Sequence, residues 1–346
     1  MTIVPTLSMH TLPESQVRLK PLVVIVGPTA VGKSRIALDV ARHFTTEILT
    51  ADSRQVYRGM DIGTDKPSQD RWQGVPHRLL DLVNPDETFN AGLFRLHAME
   101  VINRLYRDQK LPLVVGGTGL YVRMLLQGLC QAPPANSAIR AQLRSESREL
   151  GHDRLYARLV EADPVTASRL HPRDTAKIIR ALEVYRLSGR PISDFQQQHG
   201  FAERFFSSLV IGLDRARAEL YRRIEERIDW QLAQGLVQET LHLLAQGYRR
   251  ESGAMKGLGY RHVAAHLAGE YDRAEMIRRF KRDTRRFAKR QMTWFKGEPG
   301  IVWLKIDEWE SPEQTAARIV TRINHFLAAL EGTGTARDRA ESPRRS

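Results

Sequence analysis

The sequence predicts an α/β fold: a parallel sheet flanked by helices, with a helical insertion domain. Three observations carry this. Short apolar runs rich in Val, Ile and Leu, at Leu22–Val26, Leu111–Val115 and Leu209–Leu213, suit strands buried on both faces of a parallel sheet. The first run leads directly into Gly27-Pro28-Thr29-Ala30-Val31-Gly32-Lys33-Ser34, a complete G-x-x-x-x-G-K-[ST], and then into an apolar-striped helix at Arg35–His43. Between the second and third runs the composition shifts, from Pro133, Pro134 and Asn136 onward, to short helical segments.

Strand, glycine loop and helix in that order are the context in which such a loop closes backbone N–H groups around phosphate oxygens, so the sheet is P-loop NTPase-like. Residues Gly27 to Ser34 are expected to bind a phosphate or diphosphate. Lys33 supplies a point charge, and the Ser34 hydroxyl is placed to ligate Mg2+. Kinases, ATPases and some transferases share this loop, so the rest of the chain must choose between them.

With 346 residues the chain has room for two or three compact units, and 42% hydrophobic with 27% charged residues is an ordinary soluble composition. Cys130 is the only cysteine, which excludes an intramolecular disulfide and a cysteine metal site. The first twenty residues lack a signal-like apolar core and no apolar run approaches membrane-spanning length, so the expected location is cytoplasmic, with no membrane partner. The net charge of +13 favours a polyanionic partner, although an arginine-rich composition alone also raises the charge.

Taken in order, residues 1–20 read as a flexible tail and 21–130 as the first part of the catalytic core. Glu47–Ala51 is a second strand that delivers Asp52-Ser53-Arg54-Gln55 to its C-terminal end, where open parallel sheets keep their chemistry. A carboxylate beside a phosphate site repels the ligand unless a metal or a proton transfer uses it, which singles out Asp52. A turn or N-cap aspartate is the competing account. Val56–Pro67 is a shaped loop in which Arg58 and Lys66 can reach phosphates. A short strand-like piece at Pro76–Asp81 carries a lone His77, and Phe94–Gln109 is an amphipathic helix with Phe94, His97, Val101 and Leu105 in one stripe. Leu111–Val115 ends in Gly116-Gly117-Thr118-Gly119, glycines that are expected to admit a close-approaching ligand, with Thr118 as a donor.

The insertion spans 131–204, with helices at Ala138–Glu149, Arg154–Glu161 and Pro164–Leu170, the last capped by Asp163. A further helix, capped by Asp174 or Thr175, turns Ile178, Ile179, Leu182 and Tyr185 to a core and leaves Lys177, Arg180 and Arg186 as basic edges, either solvated or facing RNA. The core resumes over 205–330. A strand at Leu209–Leu213 leads to a helix at Ala216–Ala233, where Arg223 and Arg227 share a face that either clamps phosphates or forms an exposed ladder. Gly253–Arg261 is glycine-rich. One helix at Met276–Phe295 repeats Phe280, Phe287 and Trp294 every seven residues, flanked by a dense run of Arg and Lys that suits a polyphosphate backbone. Val302–Leu304 is a short strand, Pro312–Leu330 a last helix capped by Ser311, and 331–346 a disordered tail.

The succession G-P-T-A-V-G-K-S (27–34), D-S-R-Q-V-Y-R-G-M-D-I-G-T-D-K-P (52–67), P-H-R-L-L-D (76–81), G-G-T-G-L-Y (116–121), L-G-Y-R (258–261) and K-R-Q-M-T-W-F (289–295) resembles the bacterial tRNA dimethylallyltransferases from about Leu22 to Leu304. Leu258 and His262 depart from the family's usual pattern. The resemblance implies a monomer that transfers a dimethylallyl group from dimethylallyl diphosphate to N6 of an adenine beside the anticodon. It implies Asp52 as general base, and Thr29, Lys33, Ser34-bound Mg2+, Arg223 and Arg227 around the leaving diphosphate. It further implies that a tRNA anticodon stem-loop is contacted by Asp52, Ser53, Arg54, Gln55, Thr118, Arg140, Ala176, Lys177, Ile178, Ile179, Arg180, Lys256, Gly257, Leu258, Gly259, Tyr260 and Arg261. Three other accounts remain: a transferase acting on free adenine nucleotides, a small-molecule kinase, and a non-catalytic RNA-binding module.

Overall fold

A computed structural model describes residues 19–128, 130–200 and 205–340. Most of the two expected tails (1–18 and 341–346) and residues 201–204 of the insertion lie outside these. The chain divides into two units, one of residues up to Tyr121 and from Phe205 onward, the other Val122–Arg204.

The larger unit is built as β1 (Lys20–Val26), α1 (Lys33–His43), β2 (Ile48–Ala51), α2 (Gln69–Trp72), β3 (His77–Arg78), α3 (Ala91–Arg107), β4 (Leu113–Gly116) and the start of α4 (Gly119–Gln127). The smaller unit holds α5 (Ser137–Leu150), α6 (His152–Ala162), α7 (Pro164–Ala167), α8 (Thr175–Ser188) and α9 (Ile192–His199). The first unit then resumes with β5 (Phe206–Arg215), α10 (Arg217–Ala233), α11 (Leu236–Ala245), α12 (Leu258–Leu267), α13 (Arg273–Lys296), β6 (Ile301–Ile306) and α14 (Pro312–Ala340).

The six strands are parallel in the order β3-β2-β4-β1-β5-β6. Leu22 to Val26 have no solvent exposure, as the unbroken apolar run requires. Val26 pairs with Gly116, and Gly116 pairs in turn with Ala51. The C-terminal ends of β1, β4 and β2 therefore line up, with only β4 between β1 and β2. At ordinary strand spacing the loop after β1 and the residue after β2 start about 10 Å apart. That gap positions the site.

Several elements differ from expectation for identifiable reasons. On α3 the buried stripe is Phe94, Ala98, Ile102 and Leu105, while His97 is turned outward; the four-four-three spacing of these residues keeps Ala98 and Ile102 on the core face in place of His97 and Val101. Along α13 Phe280 is buried, but Phe287 and Trp294 are more than a third exposed. A seven-residue repeat drifts about 20° per step around a straight helix, so the core face passes instead through Thr284, Ala288, Gln291 and Phe295. The Gly253–Arg261 stretch is helical from Leu258, and α14 continues to Ala340 where a disordered tail was expected from 331.

The smaller unit has its own core of Leu143, Leu155, Leu159, Ile178, Ile179, Leu182 and Val184. Tyr185, expected in that core, is exposed, because the buried middle of α8 closes with Val184. Asp163 caps α7 through the Thr166 N–H (2.8 Å) and also accepts from the Ser193 N–H (3.0 Å), tying α7 to α9. Among the described residues no helix is long and apolar enough to cross a membrane.

Candidate active site

The loop after β1 is held open from outside by side chains. Gly32, at φ 108°, takes the left-handed conformation that starts α1, and Ala30 is also left-handed at φ 64°. That backbone is braced by Arg223, whose Nε donates to the Ala30 carbonyl (2.9 Å), by Arg215, whose Nε donates to that of Val31 (3.0 Å), and by Gln291, whose Oε1 accepts from the Thr29 N–H (2.9 Å). Lys33 Nζ spends two of its three N–H donors on the carbonyls of Gly27 (2.9 Å) and Pro28 (2.8 Å).

Thr29, Ala30, Gly32, Lys33, Arg223 and Gln291 wall one side of a cavity of about 490 Å³, whose lining also includes Ser34, Asp52, Gln55, Asp65, His77, Gly116, Gly117, Arg227 and Phe287. Sequence reasoning placed Thr29, Lys33, Ser34, Asp52, Arg223 and Arg227 at one site, and all six line this space. Arg223 and Arg227 do face the loop. Arg227 Nη1 approaches Asp65 at 3.4 Å, while its Nε is buried without a hydrogen-bond partner, a donor that a bound oxyanion would satisfy.

Asp52 lines the cavity and also makes the turn that was the competing account of it. Its Oδ1 accepts from the Arg54 N–H at 2.8 Å, an Asx turn, which leaves Oδ2 without a protein hydrogen bond. Thr118 Oγ1 supports the same turn by accepting from the Ser53 N–H (3.0 Å).

Burial pulls the Lys33 ammonium down to about 8, against the opposing pull of the Asp52 charge. The charged form that attracts an anion is thus lost as the pH rises through that value. The kcat/KM for a diphosphate donor is expected to fall about tenfold per pH unit above pH 8. In Lys33→Arg, whatever its residual rate, that break should vanish, since guanidinium does not titrate there. A wild-type profile flat to about pH 10 would contradict the assignment.

Several residues expected to contact ligand have partners within the protein. The glycines from the end of β4 onward make room for the protein itself: a Cβ on Gly116 would stand 2.1 Å from the Ala51 carbonyl oxygen, one on Gly117 2.5 Å from Gln291 Nε2, and one on Gly119 2.2 Å from the Trp294 ring. Lys66 does not reach for phosphate but pairs with Asp61 (2.6 Å) and Asp81 (2.5 Å), and Arg58 donates to the Leu82 carbonyl. Gln55 spends its amide N–H groups on the carbonyls of Thr64 and Asp65, and Arg54 donates to that of Gly253.

Among the residues expected to touch RNA, Ile178, Ile179 and Tyr260 are buried, and the Tyr260 hydroxyl donates to Glu239 (2.6 Å). Gly257 and Gly259 are also buried, leaving Lys256 and Arg261 as the exposed cations of that stretch. In the smaller unit Arg140 and Arg180 both pair with Glu183, whose side chain has no solvent exposure. Burial works against that carboxylate's charge, but Arg140, Arg180 and the Asn136 N–H outweigh it and hold its pKa below the usual range. Ala176 and Lys177 remain on the surface.

Three residues that shape the site were given no role from the sequence. Arg215, paired in the interior with Glu219 at 2.6 Å, braces the loop. Glu239 gathers the N–H groups of Asp61, Ile62 and Gly63 onto one carboxylate and so shapes the segment that carries Asp65. Gln291 joins the Thr29 N–H to the Gly117 carbonyl (2.9 Å). Each acts on backbone far away along the chain, where no local spacing can signal it.

A glycine loop and helix start set one strand away from an aspartate, at the C-terminal ends of parallel strands, define a P-loop-like α/β protein. Comparison with known proteins narrows this. The family model for IPP transferase matches residues 55–298. The tRNA dimethylallyltransferase 2 of Geotalea uraniireducens is 49% identical over 306 residues, covering 88% of this chain and 96% of the relative. The tRNA dimethylallyltransferase of Geobacter metallireducens is 49% identical over 284 residues, covering 82% and 92%. Among solved structures, the full-length tRNA isopentenylpyrophosphate transferase of Bacillus halodurans superposes with a TM-score of 0.69 at 33% identity, over 91% of this chain and 99% of that one. A eukaryotic dimethylallyltransferase acting on tRNA gives 0.76 at 27% identity, over 90% and 80%. The chain belongs to the IPP transferase family.

Proposed function

We propose that the chain transfers a dimethylallyl group from dimethylallyl diphosphate to N6 of the adenosine 3′-adjacent to the anticodon in tRNA, releasing diphosphate. The observation that supports this most is the placement of the phosphate loop and Asp52 on one cavity, separated by the width of β4. A group carried on the near end of a diphosphate in the loop would lie between the two.

In this scheme the loop N–H groups, Lys33, Arg223 and Arg227 bind the diphosphate as a leaving group, and the Thr29 hydroxyl donates to its bridging oxygen. The C–O bond to the allyl carbon breaks as the N6–C bond forms, and Asp52 takes the N6 proton. An aromatic amine is a poor nucleophile without such a base. Val115 and Phe287 give the cavity an apolar wall, which keeps water from the reactive carbon. The adenine reaches the pocket only by leaving its stack. The Ser34 hydroxyl brings a hard oxygen donor to the cavity, of the kind that Mg2+ takes. There Mg2+ would supply charge neutralisation for the departing diphosphate, held by Ser34. The cations left exposed at Lys256, Arg261 and Lys177 are available to the RNA backbone.

Labelled dimethylallyl diphosphate offered with unmodified tRNA, with AMP, and with ATP alone tests the proposal. Label on tRNA and not on AMP is expected. Label mainly on AMP would move the enzyme to the free-nucleotide class, and orthophosphate released from ATP without transfer would overturn the proposal.

A further inference from the structure

Gln291 touches two neighbouring loops at the cavity, the one after β1 and the one after β4. It lies in the last two turns of α13, is 8% exposed, and is matched at both ends of its amide. The carbonyl oxygen accepts from the Thr29 N–H inside the phosphate loop, and the amide nitrogen donates to the Gly117 carbonyl just past β4, each at 2.9 Å. The primary amide offers a donor and an acceptor on one planar head. Gly117 has no room for a Cβ because Gln291 Nε2 occupies it, so the two residues are fitted to one another. Beyond Gly117 the same loop reaches the base, since Thr118 accepts from the Ser53 N–H next to Asp52.

We infer that Gln291 is a positioning residue for the transfer step: it sets Thr29, and with it the hydroxyl directed at the departing oxygen, at a fixed distance from the loop that supports Asp52. This rests on the reading of the chain as a prenyl transferase. Gln291 need not touch either substrate. Its effect passes through Thr29, so it should alter the rate of bond exchange and leave ground-state capture of the diphosphate, carried by Lys33 and the other loop N–H groups, nearly unchanged.

The test is a double-mutant cycle with Thr29→Ala. Gln291→Met keeps the length and removes both polar ends; Gln291→Glu keeps the acceptor for Thr29 but sets an oxygen against the Gly117 carbonyl. Prenyl transfer to tRNA is measured well below each variant's melting temperature. Gln291→Met is expected to lower kcat about a hundredfold, with the KM for dimethylallyl diphosphate within about threefold of wild type. In the Thr29→Ala background the same change should cost less than about fivefold. Gln291→Glu goes through the same cycle, with the same expectation, should the Met variant fail to fold. Losses that multiply across the cycle, a KM that rises with the fall in kcat, or a kcat within about threefold of wild type would each overturn the inference. A wild-type enzyme that transfers nothing to tRNA would instead remove the prenyl-transferase reading, and this inference with it.

Discussion

Asp52→Asn is expected to lower kcat for prenyl transfer by about a thousandfold, with the KM for dimethylallyl diphosphate little changed. The asparagine is chosen because it separates the turn that Asp52 makes from the proton transfer proposed for it. Its Oδ1 closes a turn with the Arg54 N–H, which an amide oxygen can do equally well, whereas only a carboxylate can take a proton from N6. The Asn variant should therefore melt with the wild type and still be almost inactive. Asp52→Ala should show the same kinetic loss and in addition lose about 1 kcal/mol of stability with the turn. Thermal melts and steady-state kinetics on the two variants separate the roles. An Asn variant within about tenfold of wild-type kcat would reduce Asp52 to a turn residue.

Gly116→Ala is expected to have the largest effect on folding, a loss of more than about 3 kcal/mol by urea unfolding. Its Cβ would lie 2.1 Å from the Ala51 oxygen and 2.5 Å from the Ala51 carbonyl carbon, both backbone atoms of the neighbouring strand. A flexible side chain could move aside; β2 cannot without breaking its register with β4 at Ala51–Gly116. Such movement would also displace Asp52, the next residue, so any folded remainder should be poor in transfer. Stability within about 1 kcal/mol of wild type would show that the strands separate more easily than their packing implies.

The contrast between Asp52 and Gly116 marks what could be read from the chain alone. The phosphate loop, the strands around it and Asp52 were legible because each is written in consecutive residues: an apolar run, a spaced pair of glycines with Lys33 and Ser34, a carboxylate at a strand end. The helical insertion showed itself by a change of composition. Gly116, Gly117 and Gly119 were visible as a cluster, but not what they make room for. The atoms they accommodate belong to Ala51, Gln291 and Trp294, of which the last two arrive from α13 at the far end of the chain. Arg140 and Arg180 misled in the opposite direction. In sequence they are cations on helix edges, and only the packing reveals a fully buried Glu183 between them. The heptad of aromatic residues on α13 failed for a geometric reason, since a straight helix does not keep a seven-residue repeat on one face.

The account turns on the phosphate loop holding a diphosphate that leaves as a unit. The most direct measurement is therefore the ratio of inorganic diphosphate released to dimethylallyl groups fixed on tRNA, in the presence of ATP. One diphosphate per prenyl group, with ATP intact, is the predicted result. Orthophosphate arising from ATP in step with turnover, or prenylation that requires ATP, would contradict it and make the loop a phosphoryl-transfer site.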